Sequence, residues 1–159
     1  RHRRAARRVG RRGAQMILSD ANLLLYAYNM DAPQHEQARR WLEESFSSTN
    51  PFGLSWQTIT AFVRIGTNIK AFPMPLTVKE AIEIITEWLE RPNVSVLQPT
   101  ERHWEIFTRL LTEGKATGAL VMDAHLAAIA IEHGCQLATT DRDFARFAGL
   151  KTINPLKTE

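Results

Sequence analysis

A chain of 159 residues, 44% apolar and 23% charged, has the composition of one folded globular domain with a sizeable core, and is not that of a disordered chain. Its single cysteine, Cys135, excludes an internal disulfide framework and a Cys-based zinc cluster, and suits a reducing cytoplasm, the expected location. The net charge of +3 is unevenly spread: residues 1–15 carry seven arginines and no acid, which leaves a body with 13 Lys and Arg against 17 Asp and Glu, a balance of −4.

Residues 1–15 are expected to be a basic extension, disordered or non-native, ahead of a domain over residues 16–159. Such a stretch binds nucleic-acid phosphates through counterion release; translation starting at Met16 is the plainer expectation. A secretory signal fits poorly because Ser19, Asp20 and Asn22 interrupt the apolar region that should follow the arginines. No run reaches the ~18 apolar residues of a membrane span, so no membrane partner is expected.

From Met16 onward, strand-like and helix-like runs alternate. Met16 to Ser19 reads as a buried strand and Ala21 to Tyr28 as a helix. Asp31-Ala32-Pro33 is a helix-start signal, and the helix from Gln34 to about Phe46 places Ala38, Trp41, Leu42 and Ser45 on one face. A break over residues 47–51 leads to a weak strand, Phe52 to Ser55, and a helix from Trp56 to about Asn68. A proline-bounded loop over residues 70–75 follows, and then Thr77-Val78-Lys79-Glu80, which has the form of a capping box. That helix carries Ala81, Ile82, Ile85 and Leu89 and stops before Pro92. Val94 to Leu97 alternates as a strand, Thr100 is expected to cap a helix through Leu111, and residues 114–118 form a flexible link. Leu120 to Glu132 is the clearest helix, closed by Gly134 in the place of a left-handed cap. Gln136 to Ala138 reads as a buried strand and Asp141 to Phe147 as a short helix. Strands separated by helices predict an α/β domain with a mainly parallel central sheet flanked by helices.

Three aspartates stand at the margins of these apolar runs. Asp20 follows the first strand, Asp123 lies in the alanine-rich helix, and Asp141 follows the last strand with Asp143 two residues on. Dehydrating unpaired carboxylates costs several kcal/mol, of order ~3–5, so a shared cation is the partner to look for. Ligands of open parallel sheets bind beyond the carboxyl ends of the strands, where Asp20 and Asp141 both fall. Mg²⁺ suits the pattern, with Mn²⁺ as its alternative, since it takes one or two carboxylates and keeps several waters. Each acid also has a structural reading. Asp20 is a good N-cap residue, Asp123 a first-turn acid favoured by the helix dipole, and Asp141 and Asp143 capping or first-turn acids.

The segments Met-Ile-Leu-Ser-Asp20-Ala-Asn22, Asp123-Ala-His-Leu-Ala-Ala and Thr-Thr-Asp141-Arg-Asp143-Phe resemble the PIN-domain ribonucleases, and more narrowly the VapC-type toxins of toxin–antitoxin pairs. The resemblance runs in order from Met16 to about Pro155 and includes Ser55-Trp56, Phe62-Val63-Arg64, Thr67-Asn68 and Phe72-Pro73. It implies a PIN-like fold and a metal-dependent endoribonuclease that cuts RNA by water attack. It also implies a cognate antitoxin as partner, and a homodimer. Residue by residue, it implies Asp20 and Asp123 as metal ligands, Asp141 as the third acid of the catalytic pocket, and Asp143 and Asn22 in support.

One position departs from the family. A Glu is usual where this chain has Ala61, and no Asp or Glu occurs between Glu44 and Glu80. Gln57 or Thr60 offers only a neutral oxygen. The alternative function is therefore a catalytically impaired PIN-fold module that binds RNA or a partner protein. Arg64, one turn after Ala61, could meet a carboxylate or an RNA phosphate, or form a structural ion pair. His125 lies about 200° around the helix from Asp123 and is expected in the core or an interface. His35, His103 and His133 are expected on helix surfaces, and Trp41, Trp56, Trp88 and Trp104 as core or interface anchors. Walker A and GxGxxG sequences are absent, which argues against a nucleotide cofactor.

Overall fold

Apolar residues in short extended runs, each followed by an amphipathic helix, can bury themselves only by stacking the strands side by side under the helices. A computed structural model, which describes residues 15–156, shows this arrangement. Residues 1–14 of the basic extension and residues 157–159 of the expected domain lie outside the described residues. Five strands, β1 (Ile17–Ser19), β2 (Phe52–Leu54), β3 (Val94–Val96), β4 (Gln136–Ala138) and β5 (Thr152–Ile153), form one sheet in the order β3-β2-β1-β4-β5. Every pairing is parallel, with Leu18 opposite Gly53 on one side and Leu137 on the other. Among the described residues, the α-helices are α1 (Ala21–Tyr28), α2 (His35–Ser47), α3 (Trp56–Gly66), α4 (Val78–Glu90), α5 (His103–Glu113) and α6 (Leu120–Glu132).

Two apolar clusters flank the sheet. One joins α1, α2, α3 and α4 to Phe52 and Leu54 around Phe62 and Trp88; the other joins α5 and α6 to Leu18 and Leu137. A Cβ at Gly53 would stand 2.9 Å from Leu97 Cδ1, so a larger residue there would require the end of that leucine to shift. Helix α6 buries Leu126, Ala127, Ala128, Ile129 and Ala130 in succession, so it is apolar nearly all round, as a helix packed on several sides must be. Gly134 follows it at φ +65°, a conformation that L side chains rarely adopt, and delivers the chain into β4. Cys135 is buried there, and burial pushes its thiol up to about 11, so it packs as an unreactive small group.

The capping box at Thr77 and Glu80 forms in both directions. Several expectations need correction. Thr100 is not the cap of α5: that place belongs to Arg102, and the Thr100 hydroxyl donates to Glu132 Oε1 at 2.7 Å. His103 is not an ordinary surface residue. Its Nδ1 lies 2.6 Å from Oε2 of Glu132, whose side chain is 0% exposed, and its Nε2 lies 2.9 Å from His125 Nδ1. A buried carboxylate thus ties α5 to α6, and burying that charge is tolerable because Thr100 and His103 together saturate it. His35 is half-buried, with Nδ1 2.9 Å from the Tyr26 carbonyl, whereas His133 is exposed. Among the tryptophans, Trp88 is core and Trp41 half-buried, but Trp56 and Trp104 are exposed, so core burial fails for those two. Strand β5 went unforeseen, and α3 ends at Gly66, before Asn68. No helix among the described residues is long and apolar enough to cross a membrane.

Candidate active site

The chain runs from β1 outward through β2 to β3, then crosses back to place β4 and β5 on the other side of β1. The order therefore reverses between β1 and β4, and the crevice beyond their carboxyl ends is the favoured binding position of such sheets. Asp20 stands there. Its backbone N–H donates to Ala138 O at 2.9 Å, extending the pairing of β1 with β4 by one residue. Its Oδ1 accepts from Ala21 N at 2.7 Å, which caps α1, and its Oδ2 accepts from the Thr139 hydroxyl at 2.8 Å. The capping reading of Asp20 is thus correct, and the same bonds fix the direction of its carboxylate.

Thr139 is a residue the sequence reading passed over. It is buried, its hydroxyl donates to Asp20, and its oxygen accepts from Asp141 N at 3.0 Å. One hydroxyl thereby spaces two of the acids. Asp141 in turn accepts from Asp143 N at 2.8 Å and caps a short 3₁₀ helix, Arg142–Arg146. The only available hint was a β-branched hydroxyl in Thr-Thr-Asp at the end of a strand.

Asp123 lies in the first turn of α6, and burial, followed by the charges of Asp141, Asp20 and Asp143, pushes its carboxyl up to about 6. Arg146, a second unforeseen residue, offsets this in part. Asp20 is likewise raised, first by burial and more weakly by Asp141, against the hydrogen bonds from Thr139 and Ala21. The four acids therefore act on one another, and none of Asp20, Asp123 or Asp141 forms a salt bridge among the described residues. Asn22 and Arg64 are exposed, Arg64 makes no salt bridge among those residues, and Ala61 is half-buried on α3. A groove of about 910 Å³ opens beside Asp141, Thr139 and Asn154. A second cavity of about 510 Å³, between α1, α2 and α4, is lined by Tyr28, Arg39 and Trp88 and lies away from the acids.

Carboxylate oxygens raised by burial and, more weakly, by one another's charge are the hard donors that a small divalent cation prefers. Among the described residues, no three His, Cys, Asp or Glu side chains are drawn together into a ligand set. An ion such as Mg²⁺ takes one or two direct carboxylates and retains its waters.

Burial and, after it, repulsion make ionising Asp123 costly. Asp123 titrates at about 6 in the folded chain against 3.8 for a free Asp side chain, so its ionisation opposes folding. Stability is fully present below the unfolded value and is lost as pH rises through the folded one. With chelator present, Asp123→Asn should therefore melt at a higher temperature than the parent above pH ~6, the two converging below the ordinary carboxylate range. Parallel melting curves at all pH values would remove the electrostatic coupling of Asp123 to its neighbours.

Comparison with known proteins follows this geometry. The PIN domain family model matches residues 17–150. Ribonuclease VapC37 of Mycobacterium tuberculosis is 40% identical over 140 residues, covering 88% of this chain and 97% of that protein. Ribonuclease VapC33 of the same species is 38% identical over 142 residues, covering 89% and 99%. Among solved structures, VapBC2 from Rickettsia felis bound to a DNA fragment from its promoter superposes with a TM-score of 0.64 at 17% identity, over 87% of this chain and 98% of that one. VapC20 of Mycobacterium tuberculosis, a Sarcin-Ricin loop cleaving toxin, gives 0.62 at 17% identity, over 85% and 98%.

Proposed function

The chain belongs to the PIN-domain family, and from that membership we propose that it is a metal-dependent endoribonuclease, the toxin of a toxin–antitoxin pair. What supports this reading is Asp20 at the β1/β4 crevice, with Asp123 near enough that its carboxyl is raised by burial first and then by the charges of Asp141 and Asp20. Asp20 and Asp123 hold the cation, which we propose to be Mg²⁺, with Mn²⁺ able to replace it. When bound, such an ion supplies an oriented, more acidic water and neutralises charge on the phosphodiester. Thr139 keeps the Asp20 carboxylate aimed. Asp141 completes the acidic pocket, with Asp143 beside it. Arg146 tempers the local field, and Arg64, exposed on α3, is available to an RNA phosphate. Asn22, exposed one residue into α1, is placed to touch substrate.

The relatives named VapC ribonucleases, 36–40% identical, support RNA hydrolysis as the activity. The fold shared with VapBC2 supports a cognate antitoxin as the partner, and an acidic crevice suits a basic, Arg-bearing segment of it. A second reading rests on Ala61: a module that keeps the fold and binds RNA without cutting it.

One experiment separates the two. Purified protein is incubated with a broad set of structured RNAs and Mg²⁺ or Mn²⁺, with and without chelator. Cleavage that chelator abolishes is the expected result. Binding of those RNAs without cleavage, with cutting gained in Ala61→Glu, would establish the impaired module instead.

A further inference from the structure

Two side-chain atoms among the described residues are buried and meet no hydrogen-bond partner: Oδ1 of Asn93 and Oε1 of Gln57. Asn93 belongs to the amino end of the sheet. Its backbone carbonyl accepts from Phe52 N at the start of β2, and its Nδ2 donates to the carbonyls of Ser45 and Asn50. Gln57 belongs to the other end, where the acids are. Helix α3 begins there from Ser55, whose Oγ accepts from Thr58 N, and the Thr58 hydroxyl points back at Ser19 O, next to Asp20. From the same turn, Gln57 Nε2 donates to Met122 O at 3.0 Å, the carbonyl immediately before Asp123. That bond settles which end of the carboxamide is oxygen. One side chain therefore links the helix seated on the end of β1 to the turn that carries Asp123, with its oxygen unspent.

The sequence around it gives this position meaning. Ala61 is four residues on, so it shares a helix face with Gln57, and side chains on a helix lean toward its N-terminus. Gln57 thus lies on the face of α3 that an acid at 61 would share, one turn nearer the start of the helix. A buried carbonyl oxygen left without a donor is disfavoured, and such exceptions call for a ligand or a water.

Resting on the reading of Asp20 and Asp123 as cation ligands, we propose that Gln57 is a positioning residue of the site. Its amide nitrogen holds the α6 turn that bears Asp123, and its amide oxygen accepts a hydrogen bond from the hydration shell of the divalent cation. A neutral acceptor orients a bound water without adding another full negative charge beside Asp20, Asp123 and Asp141. Outer-shell partners of this kind fix the ligands they touch and contribute to metal affinity.

Mn²⁺ binding to the RNA-free protein, followed by the paramagnetic resonance signal of the free ion, tests this. Gln57→Met keeps the length of the side chain and loses both polar ends. Gln57→Glu keeps an oxygen acceptor and loses the donor to Met122. The expected result is that Gln57→Met weakens Mn²⁺ affinity about tenfold or more, while Gln57→Glu binds at least as tightly as the parent. Equal weakening in both variants would mean that only the α3–α6 link matters, and would overturn the role of the oxygen. Parental affinity in Gln57→Met would overturn it too. If Gln57→Met fails to fold, Gln57→Glu decides alone, with affinity below the parent counting against. Asp20→Asn and Asp123→Asn belong in the same series, because affinity retained in them would instead sink the underlying metal-ligand reading.

Discussion

Asp20→Asn or Asp123→Asn should each slow RNA cleavage by on the order of a hundred- to a thousandfold, the usual consequence of removing one element of a charge-stabilising site. The substitution is chosen to separate charge from structure. Asn keeps one oxygen, which can still accept from Ala21 N, although its amide nitrogen replaces the oxygen that accepts from the Thr139 hydroxyl; it is as good an N-cap as Asp, so α1 should still start where it does. What is lost is the negative charge that attracts a divalent cation. Asp123 makes the same point from the other side of the crevice, where an uncharged amide also relieves repulsion from Asp141, Asp20 and Asp143. Catalysis and metal-free stability should thus move in opposite directions at Asp123, as when strain is kept at a site for function. Exposed Glu105, on α5, is the control, and Glu105→Gln should leave the rate alone. Variants at Asp20 and Asp123 that cut RNA at the parental rate would remove the two-carboxylate site.

Trp88→Ala should cost about 3–5 kcal/mol of folding free energy, the range for deleting a large aromatic from a packed core. Trp88 is 2% exposed, packs edge-on against Phe62 with centroids 4.7 Å apart, and donates from Nε1 to the Tyr28 hydroxyl at 3.1 Å. Its removal therefore opens a cavity between α1, α3 and α4 and leaves Tyr28 without that donor. Against a total stability of about 5–15 kcal/mol, the loss is large, and in a domain of this size Tm should fall by roughly 6–20 °C. Trp104 is the contrast: it is 71% exposed, and Trp104→Ala should stay within about 0.5 kcal/mol. Urea unfolding of both variants checks the pair, and comparable losses in the two would contradict the burial pattern.

Much of the scaffold was legible because it depends on local patterning. The capping box at Thr77, the glycine after α6 and the apolar runs before Asp20 and Asp141 each determine their own neighbourhood, and each appears where it was expected. What escaped depends on partners distant in sequence. Thr100 has the form of a cap but is held by Glu132, 32 residues away, and His103 looks solvated until α6 covers it. Strand β5 is two exposed residues long, too short to show alternation. The candidate site divides in the same way. Its acids stood out as charges at apolar margins and Gln57 as a neutral oxygen near Ala61, whereas the role of Thr139 and the bond from Gln57 to Met122 depend on contacts that no spacing rule connects. Arg146 was one arginine among many until its position near Asp123 gave it a role.

The pairing of β1 with β4 also bears on synthesis. Asp20 and the Thr139 hydroxyl that holds it are 119 residues apart in the chain, and Asp141 lies beyond both. A growing polypeptide emerges N-terminal end first, so Asp20 leaves the ribosome long before either partner exists, and closing so long a loop is entropically slow. Until β4 has docked, the half-made chain has a lone acid at the end of an unpaired strand edge. Asp20 thus gains the hydroxyl that orients it only after residues 136–141 have been made and β4 has docked.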